Sequence, residues 1–320
     1  MDVPGDRASH TRSVPTLGGI AIFGGVIFSI ILWTPFQVFG NLQYILSAFV
    51  IIFLIGAKDD IMPLTPYKKM LGQLIAVLIL VFKANIKITS FYGIYGIETL
   101  PEWMSILFSI FTILLIINAF NLIDGINTLC ASTGILISVT LGYWFKEVDQ
   151  IVLSIIAFSL VGSLLAFLKY NISPAKIFMG DTGSMMVGTI CAILVIRFME
   201  INSSLLPDNM QIQAAPALAI AILFIPLYDT LRVFVLRLLK GKSPFSPDKQ
   251  HVHHVLLSLG LNHLQTTSIL IILNTLMIGI VSFFIDWGNV NLLLLIVGMG
   301  LIFSAAINYI NKQHLKHPSY

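Results

Sequence analysis

Trp103-Met-Ser-Ile-Leu-Phe-Ser-Ile-Phe-Thr-Ile-Leu-Leu-Ile-Ile-Asn-Ala-Phe120, followed at once by Asn121-Leu-Ile-Asp124-Gly125, is the stretch that decides the fold. Residues 103–120 carry no charge. A helix crossing a hydrocarbon core needs about 20 mostly apolar residues, with a range of about 17–25. The run is long enough, and polar groups wait at its end. The same reading applies at 17–34, 43–57, 69–84, 127–145, 150–168, 184–199, 214–238, 266–285 and 290–311. The chain is therefore expected to be an all-α polytopic membrane protein with about ten transmembrane helices. Composition agrees. The 320 residues are 57% hydrophobic and 10% charged, against about 25% charged in a soluble domain. Residues 1–320 read as a single integral-membrane domain, and 239–264 as its one long polar loop. Cys130 and Cys191 lie in apolar runs and read as small buried hydrophobes without a disulfide. Residues 86–98 alternate in polarity and carry two glycines, which predicts a small β-hairpin outside the membrane.

Lys and Arg in short loops set the orientation. Ten spans put both termini on one side. That side then holds 14 of the 18 Lys and Arg residues and all 7 histidines. Glu98, Glu102, Glu147 and Glu200 fall opposite. Both termini are expected to be cytoplasmic.

On that cytoplasmic side four segments collect acidic and histidine side chains. Asp59-Asp60 closes the second run. Adjacent carboxylates at a membrane boundary are costly without a cation or basic partner. They read as Mg²⁺ ligands, or a ligand and a base, or else as a solvated loop start. Lys68, Lys69 and Gln73 follow, the lysines as positive-inside anchors or as phosphate contacts. Asn121 and Asp124 share a helical face if the helix continues. They could read a base edge or ribose hydroxyls, or simply cap helix ends.

The third segment is Phe178-Met-Gly-Asp181-Thr-Gly183-Ser184. Glycines at a helix start offer backbone N–H groups to an anion. An aspartate there suits phosphate when Mg²⁺ bridges them, since Mg²⁺ binds through one or two carboxylates plus substrate phosphates. Phe178 offers a surface for stacking on a base. The fourth segment runs from Asp229 to His254. It includes Asp248 and His251-Val-His253-His254. Without a cysteine and with adjacent histidines it is a poor tetrahedral zinc site. Contacts to phosphates, or solvated loop histidines, are the alternatives. Asp229 and Arg232, at i and i+3, read as an ion pair. A transporter would place polar groups near the midplane in paired repeats. Here they sit at helix ends on one side, with no internal repeat.

Taken in order from Val14-Pro-Thr-Leu-Gly-Gly19 to the histidine loop, these segments resemble the polyprenyl-phosphate N-acetylhexosamine-1-phosphate transferases, glycosyltransferase family 4. Ser243-Pro-Phe-Ser-Pro-Asp248 before Gln250-His-Val-His-His254 looks like the branch that uses UDP-GlcNAc and undecaprenyl phosphate. The muramoyl-pentapeptide branch carries Pro-x-His-His-His there and is the alternative. The resemblance implies a further helix before Val14, and Asp2 to His10 resembles the loop that follows it, so a misplaced start or a truncated chain is expected. Asn127 stands where the family often has Asp.

The resemblance implies a Mg²⁺-dependent transfer, with Mn²⁺ as a substitute, at the cytoplasmic face of a bacterial inner membrane. Lipid phosphate attacks the β-phosphate of a UDP-N-acetylhexosamine and UMP leaves. Asp181, Asp60 and Asp59 are the expected metal ligands. Asp59, Asp60, Asp124, Asp181, His253 and His254 are the expected catalytic set. Asn121, Asn171 and Phe178 are expected at the uridine, and Lys69 and His251 at the phosphates. The other expected partners are the bilayer and a second copy in a homodimer. Nucleic acid is not expected.

Overall fold

A computed structural model describes residues 14–241 and 250–316. Asp2 to His10 and Ser243 to Asp248, on which part of the family resemblance rests, lie outside the described residues. The chain divides into two compact units, Met1–Gln211 and Ile212–Tyr320.

The first unit contains α1 (Gly18–Trp33), α2 (Leu42–Ile61), α3 (Pro66–Phe82), α4 (Glu102–Ile123), α5 (Leu129–Glu147), α6 (Ile151–Asn171) and α7 (Gly180–Ser204). α7 is its axis. It packs against α1, α2, α4, α5 and α6, and 83% of its most apolar window is buried. Close approach is built from small residues, as membrane helix interfaces require. A Cβ on Gly56 of α2 would lie 2.4 Å from the Thr182 Cα of α7. The outer helices keep large apolar side chains exposed, among them Phe28, Trp33, Leu107, Phe111 and Leu165. In a bilayer those faces meet lipid.

The expected hairpin is present. β1 (Ser90–Ile94) pairs antiparallel with β2 (Ile97–Thr99), Ile94 opposite Ile97. Tyr95 and Gly96 have φ of 54° and 77°, the two positive values of a type I′ turn. Tyr92 donates its hydroxyl to the Met199 carbonyl at the far end of α7.

The second unit contains α8 (Ala215–Ile222), α9 (Phe224–Leu239), α10 (Val252–Ser258), α11 (His263–Phe283) and α12 (Gly288–Lys316). The run expected as one span over 214–238 is broken, with a bend of 64° between Ile222 and Phe224. Pro226 explains the break. It has no N–H for the Ile222 carbonyl four residues back. Asn274 of α11 fills the gap from the side. Its Nδ2 donates to Ile222 O at 3.2 Å, and its Oδ1 accepts from Ile225 N–H at 2.9 Å.

Six helices among the described residues are long and apolar enough to cross a membrane, or seven if the bent pair is one span. The expected ten are not reached on that measure, and α1, α2 and α3 make the difference. α1 has 16 residues and α3 has 17, so each rises about 24–26 Å against a core of about 30 Å. α2 ends in Lys58, Asp59 and Asp60. The chain is a multi-pass membrane protein whose first three helices are short or polar-ended.

Candidate active site

Four helix ends of the first unit converge: the last turns of α2 and α4 and the first turns of α3 and α7. At their centre is the Lys69 ammonium. Nζ lies 2.6 Å from Asp181 Oδ2, 3.1 Å from Asp59 Oδ2 and 3.3 Å from Asn121 Oδ1. Pro66 at the start of α3 needs no N–H partner there, and the helix it opens aims Lys69 inward. Asn121 Nδ2 donates to Asp181 Oδ1 and, at 3.0 Å, to Ser184 Oγ. A strongly hydrated point charge is thus held between two carboxylates and an amide.

Asp59 and Asp60 face different partners. Asp59 accepts from Leu64 N–H at 2.6 Å and turns its other oxygen to Lys69. Asp60 serves the N-terminus of α7. Its Oδ1 accepts from Asp181 N–H at 2.8 Å, and its Oδ2 from Thr182 N–H at 3.0 Å and from the Thr182 hydroxyl. A carboxylate at a helix N-terminus satisfies orphan donors and complements the dipole. Gly180 makes room for it. Its φ is 71°, and a Cβ there would sit 2.7 Å from both Asp60 oxygens.

The segment opening at Val14 braces the same helix start. Gly18 and Gly19 N–H donate to the Phe178 and Met179 carbonyls, each at 2.9 Å. Phe178 N–H donates to Pro15 O, also at 2.9 Å. Phe178 is half-buried. Asp124 follows the last residue of α4. Burial, with the Asp181 and Asp60 charges adding, pushes its carboxyl well above the usual range.

Asn171, expected at the uridine, is buried and bridges two chain segments. Its Oδ1 accepts from Thr128 N–H at 2.6 Å and its Nδ2 donates to Ile177 O at 2.9 Å. Asn127 reaches Ser173 Oγ at 2.9 Å. A second polar layer, to which the sequence alone assigns no role, lies one helical turn from the site. Gln73 Nε2 donates to Met185 Sδ at 3.0 Å, and Asn118 Nδ2 to Gln73 Oε1 at 3.0 Å. The signal is in the spacing: Gln73 is four residues after Lys69, and Asn118 three before Asn121.

The histidine segment lies in the second unit. Asp229 on α9 accepts from His251 Nδ1–H at 2.8 Å and from Val252 N–H at 2.7 Å. It does not take the expected Arg232 partner, because the start of α10 supplies a donor with no other acceptor. Arg232 donates to Gln250 O at 2.6 Å and to Asn308 Oδ1 at 3.3 Å. His251 and His253 are buried, and His254 is half-exposed. Burial pushes His253 down to about 3, so its ring is neutral.

Among the described residues no three His, Cys, Asp or Glu side chains gather as a metal site. Mg²⁺ beside substrate phosphates needs only one or two carboxylates. Asp59 Oδ2 and Asp181 Oδ2 already converge on one cationic atom, which fits that pattern. Asp60 has both oxygens engaged with α7.

A family model described as Glycosyl transferase family 4 matches residues 42–199, which include every member of the Lys69 cluster. The chain is 31% identical over 300 residues to decaprenyl-phosphate N-acetylglucosaminephosphotransferase of Mycobacterium leprae, covering 88% of this chain and 74% of that protein. It is 27% identical over 311 residues to undecaprenyl-phosphate alpha-N-acetylglucosaminyl 1-phosphate transferase of Yersinia pestis, covering 92% and 81%. The protein of the same name from Salmonella typhi is 27% identical over 292 residues, covering 88% and 75%.

Proposed function

This chain belongs to glycosyl transferase family 4, and from that premise we propose that it transfers GlcNAc-1-phosphate from UDP-GlcNAc to undecaprenyl phosphate. The names of its relatives support a polyprenyl-phosphate acceptor and the N-acetylglucosamine-phosphate group. The observation that carries the reading is the Lys69 ammonium held between Asp59 and Asp181 at four helix ends. A phosphoryl transfer has little covalent work for the protein, and asks for positioning and charge neutralisation.

An oxygen of the lipid phosphate forms a bond to the β-phosphorus of UDP-GlcNAc. The bond from that phosphorus to the α–β bridging oxygen breaks. UMP leaves, and the lipid carries a pyrophosphoryl sugar. The acceptor monoester has a second pKa near 6 and is mostly dianionic at neutral pH, so it needs no strong base. Lys69 neutralises charge on the phosphates, and Asn121 holds the Asp181 carboxylate in place. Asp60 fixes the first turn of α7, which carries Asp181 and offers backbone N–H groups. Asp181 and Asp59 would hold Mg²⁺, which supplies further charge neutralisation at the pyrophosphate when bound. The reaction takes place at the cytoplasmic face of a bacterial inner membrane.

The test is UMP release by purified protein in detergent with Mg²⁺ and undecaprenyl phosphate. UDP-GlcNAc and UDP-MurNAc-pentapeptide are offered in parallel, with Asp181→Asn as control. Lipid-dependent UMP from UDP-GlcNAc, lost in the variant, is the expected result. UMP only from the muramoyl-pentapeptide donor moves the chain to the other branch, and none from either donor overturns the assignment.

A further inference from the structure

The polar layer next to the Lys69 cluster repeats its plan. Lys69, Asn121 and Asp181 come from α3, α4 and α7 and meet at the helix ends. One turn away on the same three helices, Gln73, Asn118 and Met185 meet as well. The Gln73 amide is the hub: Nε2 donates to Met185 Sδ and Oε1 accepts from Asn118 Nδ2, each at 3.0 Å. Asn118 Nδ2 also donates to Leu114 O of its own helix at 2.8 Å, which holds that amide in place. Gln73 and Met185 are both fully buried.

Close backbone approach sets α4 against α7. A Cβ on Gly188 of α7 would lie 2.9 Å from the Ile117 Cα of α4. α3 meets α7 differently. It packs against α2 and α4 and reaches α7 through side chains, Lys69 to Asp181 and Gln73 to Met185. A slide of α3 by one residue is a rise of about 1.5 Å, enough to take a 3.0 Å contact out of hydrogen-bond range. Apolar neighbours tolerate such a slide. A buried amide left without partners does not. Lys69 stands four residues before Gln73 on the same face, so what fixes Gln73 also fixes where the ammonium lies.

We propose that Gln73 is a positioning residue, whose amide sets the register of α3 against α4 and α7 and so holds the Lys69 ammonium between Asp59 and Asp181. The use of that ammonium in catalysis rests on the transferase reading above. Gln73 touches no substrate in this scheme and acts through Lys69. Gln73→Met keeps the unbranched shape at similar volume, a swap that packed interiors tolerate, and removes both bonds.

The experiment compares the full-length wild type with Gln73→Met in detergent by two readouts. The first is the rate at which an amine-acylating reagent modifies Lys69, resolved by mass spectrometry, because the amine must leave its carboxylates to react. Lys87 is the internal reference. Its side chain is 17% exposed against 15% for Lys69, and it pairs with Glu102 at the other end of the unit. The Lys69 rate is expected to rise about threefold, the worth of a partly exposed ion pair, while Lys87 stays as it was. The second readout is UMP release with UDP-GlcNAc, undecaprenyl phosphate and Mg²⁺, expected to fall about tenfold, as small misplacements of working groups do. A general loosening of the fold would raise both lysines together, and that result overturns the proposal. So does an unchanged Lys69 rate, or a raised one with full UMP release. Should Gln73→Met fail to fold, Asn118→Leu, which removes the α4 half of the bridge, is judged by the same two readouts. A wild type without lipid-dependent UMP release sinks the transferase reading, and the ratio of Lys69 to Lys87 labelling then decides the register role by itself.

Discussion

Asp59 and Asp60 are neighbours in sequence with different tasks, and substitution separates them. Asp60→Ala strips three hydrogen bonds from the first turn of α7, and hydrogen bonds to charged groups matter most. It is expected to lower stability by about 3 kcal/mol together with activity. Asp59→Ala loses one backbone bond and one ion pair. It should cost about 1 kcal/mol while reducing UMP release about a hundredfold. Unfolding midpoints in detergent, set beside turnover, check the contrast, and equal stability losses would refute it. His253 gives a pH signature. Its folded value of about 3 lies below the ordinary 6.5, so the unfolded chain binds the proton first as pH falls. The stability from burying the neutral ring is complete above about pH 6.5. It fades toward pH 3 by up to about 1.4 kcal/mol per unit. His253→Phe should flatten that decline in thermal unfolding between pH 7 and 5; an unchanged slope would refute the assignment.

Secondary-structure elements here are positioned by single polar side chains that bridge helices. Asn274 closes the break between α8 and α9. Asn274→Leu leaves Ile225 N–H and Ile222 O without that partner and should cost about 2–3 kcal/mol, read as a lower unfolding midpoint. A midpoint equal to wild type would show that the bend needs no such brace. This is also where sequence reading succeeds and fails. The apolar runs, the hairpin and the polar segments at the helix ends are all legible, because bilayer thickness and strand alternation write directly into residue order. The break at Leu223 is not, since Pro226 sits in an otherwise apolar run and its compensating amide comes from about 50 residues later. Asn171 reads as a ligand contact in the sequence, and the bonds it makes to Thr128 N–H and Ile177 O are not legible there, because an amide with a donor and an acceptor serves a brace as well as a nucleotide. Asp60 is hidden for the same reason: nothing in Asp59-Asp60 says which carboxylate faces the cluster and which caps α7.

As a whole molecule the chain is a multi-pass membrane protein whose first unit is organised around α7, and its orientation can be tested through two loops. Cys130 and Cys191 are buried, so introduced cysteines should stand out against a low background. Tyr95→Cys, in the hairpin turn, should react with an impermeant maleimide in intact cells. Ser173→Cys, after α6, should react only once the membrane is opened; the reverse pattern would invert the topology drawn from lysine and arginine counts. Ten apolar runs are visible in the sequence, yet the three most N-terminal ones form helices that are short or end in charge. Length and polarity of a run are legible, but how deeply its end sits among neighbours is a property of the assembled unit. The bond from Asp60 to the start of α7 spans 121 residues of chain. During synthesis α2 is complete long before Asp181 leaves the ribosome. Until then the nascent chain holds Asp59, Asp60 and Lys69 with no Asp181 to meet them. The cluster of Asp59, Lys69 and Asp181 is therefore completed only when α7 inserts, and a chain arrested before that point has its anchoring helices without it.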